Sequence, residues 1–148
     1  MDPDVIRQHF RDLKRAGVST VSVSWWGQAH KEGSTDNQGV STDRAVALLL
    51  SLADETIGAV SVCFHLEPYP GRSAASVLED LEYIHERYGH HQSLARRQQD
   101  RRVIFYVYDS YHIPPKDWAE IFTDSGAIEI VLLMTLSELA VNICSLGL

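Results

Sequence analysis

The sequence has few cysteines, no apolar run of clean membrane-spanning length, no excess of positive charge and no glycine-rich phosphate fingerprint. Two of its 148 residues are cysteine. Cys63 and Cys144 sit in apolar stretches at a spacing that matches no zinc or redox motif, so they read as packing residues rather than a disulfide framework. An oxidising compartment stays open, because a large domain needs no bridges. The net charge of -7 argues against a nucleic-acid partner, since phosphate contacts call for a basic stripe. Arg96, Arg97, Arg101 and Arg102 do cluster, but Gln98, Gln99 and Asp100 interrupt them and no aromatic residues interleave for base stacking, which fits a solvated loop. Met1-Asp2-Pro3-Asp4 lacks the charged and apolar regions of a signal peptide, so no export route is expected from this end. Ile128 to Leu148 is apolar, yet Glu129, Glu138 and Asn142 break it below the run of ~18 that a membrane span usually needs. Any membrane association is expected only through an anchor not present in this chain.

The periodic segments alternate between helix and strand. Asp4 opens a helical pattern of Val5, Ile6, Phe10, Leu13 and Ala16, with Gly17 as its stop. Val18 to Ser24 alternates valine with serine or threonine, as a strand does, and ends at Trp25-Trp26-Gly27. Gly27 to Ser41 is a long polar loop of the kind that often carries function. Thr42 or Asp43 can cap a helix through Leu52, and Gly58 resets the chain for a strand from Ala59 to Phe64. Ser73 caps a third helix carrying Val77, Leu78, Leu81, Ile84 and Tyr88, ended by Gly89. Val103 to Tyr108 is a third strand, and Pro114-Pro115 restarts a helix near Lys116 to Phe122.

Strands separated by helices pair in parallel through right-handed crossovers. An open doubly wound sheet and a closed barrel both fit that pattern. No phosphate fingerprint follows the first strand, and polar or aromatic groups follow three strand ends, as on the C-terminal rim of a (β/α) barrel. The expected fold is α/β, a partial (β/α) TIM-type barrel of about its first three β/α units. Such a piece leaves unpaired strand edges, so the chain is expected to be poorly soluble or partner-dependent.

Three rim clusters carry candidate chemistry: Trp25-Trp26, His65 to Arg72, and Tyr108 to Tyr111. An aromatic plate such as Trp26 can stack on the apolar face of a sugar, although by strand alternation one of the two adjacent tryptophans faces the core and the other faces away. Glu67 and Arg72 can hold hydroxyls through charge-assisted hydrogen bonds, with Tyr69 packing and donating; the alternative is a Glu67–Arg72 ion pair that only shapes the loop. Asp109, flanked by Tyr108 and Tyr111, reads the same way. Glu67 and Asp109 could also form an acid/base pair, since retaining glycosidases place two carboxyls ~5–5.5 Å apart. His65 and Glu67 share a strand face and, with His112 or Asp109, would be half of a metal site. No further ligands appear at a recognisable spacing, so neither a metal nor a cofactor is expected.

Val5-Ile6-Arg7-Gln8-His9, Val23-Ser24-Trp25-Trp26, Phe64 through Arg72, Leu81-Glu82-Tyr83-Ile84, Arg87-Tyr88-Gly89, Phe105 through Tyr111, and Trp118 with Thr123, Ser125 and Gly126 together resemble the endo-α-1,2-mannosidase family, in that family's order and at similar spacings. The resemblance implies a retaining glycoside hydrolase on a (β/α) barrel that cleaves internal α-1,2-mannosidic bonds of N-glycans on the lumenal side of the Golgi, with an α-mannoside glycan as partner. It implies substrate-binding roles for Trp26, Glu67, Tyr69, Arg72, Tyr108, Asp109 and Tyr111, with Trp26 at the subsite beyond the scissile mannose. The catalytic glutamate pair it implies lies outside this chain, so the chain alone is expected to be inactive. Residues 2–126 are expected to form the N-terminal part of the barrel domain, and 127–148 a divergent apolar tail with no further strand. A non-catalytic carbohydrate-binding remnant and a metal-dependent barrel hydrolase are the alternatives.

Overall fold

The computed structural model describes residues 2–55, 60–124 and 131–135. Gly58, Ala59, Ser125 and Gly126 lie outside them, as does most of 127–148, including Cys144. The elements run α1 (Pro3–Arg15), β1 (Thr20–Trp25), α2 (Asp43–Glu55), β2 (Ser61–Leu66), α3 (Ala74–Tyr88), β3 (Ile104–Tyr108), a short 3-10 turn (Ser110–His112), α4 (Pro115–Asp124) and β4 (Val131–Thr135).

Local chemistry explains the boundaries. Helix α1 starts earlier than the Asp4 expectation. Asp2 is its cap, accepting from the Asp4 amide at 2.9 Å, and Pro3 follows in the first turn, where its missing N–H and fixed φ cost nothing. Ser73 caps α3 as expected, within a reciprocal capping box with Ser76. β2 reaches two residues past Phe64, so His65 and Leu66 belong to the strand; parallel pairing of Leu66 with both Trp25 and Val107 carries the ladder to that point. The expectation of no strand after Gly126 is corrected: β4 pairs in parallel with β3 from Ile104↔Val131 to Tyr108↔Thr135.

All described strands are parallel, in sequential order β1-β2-β3-β4. The register lines up Val23, Phe64 and Phe105, and one step on Trp25, Leu66 and Val107. All but Val23, which packs half-buried against it, belong to the core, together with Val46 and Leu50 of α2 and Val77, Leu81 and Ile84 of α3. Residues of the other parity, Ser22, Ser24, His65 and Tyr106, stay outside that core. The apolar stripes of the helices therefore cover one face of the sheet. Sequential order and one-sided helices contrast with the order reversal and two-sided cover of a doubly wound sheet, and are consistent with a barrel segment.

Phe64 sits at the centre of the core. It is fully buried, with ring centroids 6.3 Å from Trp25, 6.0 Å from Tyr88 and 6.2 Å from Phe105. At the β1 edge an apolar groove of about 480 Å³ runs between α1 and the strand, lined by Val5, Ile6, Phe10, Val21 and Val23.

Candidate functional site

Parallel pairing brings the C-terminal ends of β1, β2 and β3 to one rim, so Trp26, Glu67 and Asp109, each the first residue past its strand, share the same end of the sheet. The tryptophan pair divides as alternation requires. Trp25 is fully buried and donates its indole N–H to Asp43 Oδ1 at 3.1 Å, whereas Trp26 is half-buried. Gly27 then turns the chain at φ +111°, a conformation L side chains rarely adopt; a Cβ there would also lie 3.3 Å from Ser34 Cβ.

Glu67 is held from two strands. Its Oε1 accepts from Ser24 Oγ at 2.7 Å and lies 3.0 Å from His65 Nδ1, which donates when the carboxylate is ionised. Burial pushes the Glu67 carboxyl up, but hydrogen bonds from His65 and Ser24 and the charges of His65 and Arg72 outweigh it and hold the group below its ordinary value. A general acid working near neutral pH needs the opposite shift, so this setting suits a fixed hydrogen-bond acceptor better than a proton donor. A consequence concerns acid stability. With the folded value lowered, the stabilisation from Glu67 is complete above its ordinary 4.5 and is lost as pH falls through the folded value. Urea melts of wild type and Glu67→Gln should therefore differ most above pH 4.5 and converge below it; a gap that widens on acidification would contradict the assignment.

No direct ion pair joins Glu67 to Arg72 among the described residues. Arg72 Nη2 instead donates to the Asp109 carbonyl at 2.8 Å, tying the loop after β2 to the loop after β3, and Nη1 is buried with no hydrogen-bond partner. Tyr69-Pro70-Gly71-Arg72 sets this up as a tight turn, closed by the Arg72 amide on the Tyr69 carbonyl at 3.2 Å, with proline second and a left-handed glycine third. Arg72, Pro68, Tyr69, Asp109, His112 and Ile113 line a cavity of about 370 Å³, within the range of small-molecule sites. Asp109 has left-handed backbone, φ 49°. Its charge is the main influence raising the Tyr111 phenol, which is exposed, and the loop is anchored beneath by the Trp118 indole donating to Ser110 O at 3.0 Å. Tyr108 stacks obliquely on His65, ring centroids 5.4 Å apart.

Tyr69 is placed differently from the free donor expected of it. Its hydroxyl donates inward to Asp80 Oδ2 at 2.6 Å and lies 2.9 Å from Ser76 Oγ; burial, then the Asp80 bond, raise its pKa. That leaves the ring rather than the hydroxyl to meet a ligand. Among the described residues no three His, Cys, Asp or Glu side chains converge to hold a metal, so the geometry adds nothing to the metal alternative.

Two buried carboxylates escaped the sequence reading as site elements. Asp43 Oδ1 accepts from Trp25 Nε1 and, at 3.2 Å, from the Tyr88 hydroxyl, while Oδ2 accepts from Ala29 N at 3.0 Å and the Tyr83 hydroxyl at 2.8 Å. Asp80 accepts from Gln28 Nε2 at 2.9 Å as well as from Tyr69. The signal for Asp80 was an acidic residue three positions after Val77 and one before Leu81, on the apolar stripe of α3, where an unpaired charge is not tolerated.

Several known proteins are similar to this chain in sequence or in fold. The chain is 34% identical to a glycoprotein endo-alpha-1,2-mannosidase-like protein of Mus musculus and 33% identical to the glycoprotein endo-alpha-1,2-mannosidase of Rattus norvegicus, the matches covering 84% and 85% of this chain and 27% of each relative. The solved structure of the GH99 endo-alpha-mannosidase from Bacteroides thetaiotaomicron matches with a TM-score of 0.69 and 35% identity, over 90% of this chain and 38% of that one. The chain thus spans about a quarter of the length of these curated relatives. The Glycosyl hydrolase family 99 model matches residues 1–135, β4 included, and the chain belongs to that family. No described helix is long and apolar enough to cross a membrane.

Proposed function

We propose that this chain forms the glycan-binding wall of an endo-α-mannosidase whose retaining mechanism cleaves internal α-1,2-mannosidic bonds of N-glycans, on a (β/α) barrel and on the lumenal side of the Golgi. The observation that carries the reading is the rim itself: a half-buried Trp26, a fixed Glu67 acceptor and the Arg72–Asp109 loop bridge, gathered at one end of a sheet with family 99 ancestry. Trp26 supplies an apolar plate for a pyranose face. Glu67 and Asp109 accept from sugar hydroxyls, Arg72 donates, and Tyr69, Tyr108 and Tyr111 contribute aromatic surface.

A barrel part running from residue 2 through β4, with a divergent segment after it in place of the expected boundary at 126, belongs to the same proposal. The lowered Glu67 supports substrate positioning rather than proton transfer, and the family resemblance puts the catalytic glutamates beyond the matched stretch. The 148-residue chain then binds mannosides without cleaving them. Incubated with an α-1,2-linked mannoside, it is expected to release no disaccharide; any detectable release would overturn the reading, and its loss or persistence in Glu67→Gln would show whether Glu67 takes part in the cleavage.

A further inference from the structure

The segment from Trp26 to Lys31 leaves the sheet after Trp25, whose carbonyl makes the last strand bond, to Glu67 N at 2.9 Å. Two helices then grip it from below. On the α2 side, Asp43 takes the Trp25 indole and the Ala29 amide, on either side of Trp26. On the α3 side, Asp80, 1% exposed, takes Gln28 Nε2, and Lys31 Nζ stands 3.6 Å from it while pairing with Glu79 at 3.2 Å. Asp80 also holds the Tyr69 hydroxyl, so one carboxylate joins the loop after β1 to the loop after β2.

We infer that Asp80, acting with Asp43, is a positioning residue that fixes the backbone around Trp26 and so sets the orientation of its ring at the rim. Resting as it does on the sugar-binding reading of Trp26, the inference adds how that plate is held. A flat ring on a free loop would have to be ordered by the ligand; one pinned on both sides presents its face in advance, and small displacements at such a site are costly. The two carboxylates differ in what they tolerate. Gln28 can turn its amide to offer oxygen and Tyr69 can still donate to a remaining carbonyl, so Asp80→Asn keeps the tie, whereas Asp80→Ala removes it.

The test uses the full chain labelled with fluorotryptophan, whose three tryptophans give three 19F signals, together with amide exchange and titration with α-1,2-mannobiose. Asp80→Ala is expected to shift or broaden the Trp26 signal, to speed exchange over residues 26–31 about tenfold or more while β2 and β3 stay protected, and to weaken mannobiose binding about tenfold. Asp80→Asn should restore all three readouts. If Asp80→Ala does not fold, Gln28→Ala replaces it, with the same changes expected. An unchanged Trp26 signal and unchanged exchange in a folded variant overturn the inference. Loosened exchange with no mannobiose binding by wild type sinks the sugar-binding reading and leaves the positioning intact; equal mannobiose affinity in wild type and Asp80→Ala does the reverse.

Discussion

Asp43→Asn is expected to destabilise the protein by roughly 3 kcal/mol, the scale seen when one member of a buried, charge-assisted set is removed. The substitution is nearly isosteric, so the loss comes from hydrogen-bond polarity. Both Asp43 oxygens accept, one from Trp25 Nε1 and the Tyr88 hydroxyl, the other from Ala29 N and the Tyr83 hydroxyl. An asparagine places an N–H₂ against one of these pairs. The two hydroxyls can rotate, but an indole N–H and a backbone amide cannot become acceptors, so whichever way the amide turns, two donors face each other in a site where Asp43 is 5% exposed. Asp43 is also the first residue of α2, where a negative charge is favourable to the helix dipole. Urea denaturation of wild type and Asp43→Asn measures the difference; a loss below about 1 kcal/mol would mean that neutral and charged acceptors are equivalent here.

Phe64→Ala is expected to cost about 3–5 kcal/mol, the usual range for deleting a fully buried aromatic ring. Phe64 contacts rings from β1, α3 and β3 at once, so no single neighbour can swing in to fill the gap. Against a typical total of roughly 5–15 kcal/mol, that change alone brings the folded state close to its limit. Phe64→Leu, which keeps most of the apolar volume, should lose well under half as much. A small effect of Phe64→Ala in the same urea melts would show that the sheet and helices are not packed through this residue.

The alternation of helix and strand was legible because each segment carries its own period and punctuation. Ser73 and its capping box are local chemistry, as are Pro70 and Gly71 in the tight turn. Strand ends were harder, because His65 reads as a rim residue until Leu66 is seen paired with Trp25 and Val107 across the sheet. β4 was missed for a related reason: an apolar run such as Val131 to Thr135 acquires strand character only beside β3. At the site, residue types at the strand ends were visible and their partners were not. Alternation fixed that the two tryptophans differ, but the Asp43 acceptor is what marks Trp25 as the inner one. Glu67 held by Ser24, and Tyr69 turned inward to Asp80, depend on contacts 43 and 11 residues away along the chain.

The central claim is that this rim binds α-mannosides, and the most direct measurement is titration of the purified 148-residue chain with an α-1,2-linked mannose oligosaccharide, wild type beside Trp26→Ala. Saturable binding by wild type, weakened about tenfold or more by Trp26→Ala, is the expected result. Absence of binding by folded wild-type chain, or binding that Trp26→Ala leaves unchanged, would contradict it.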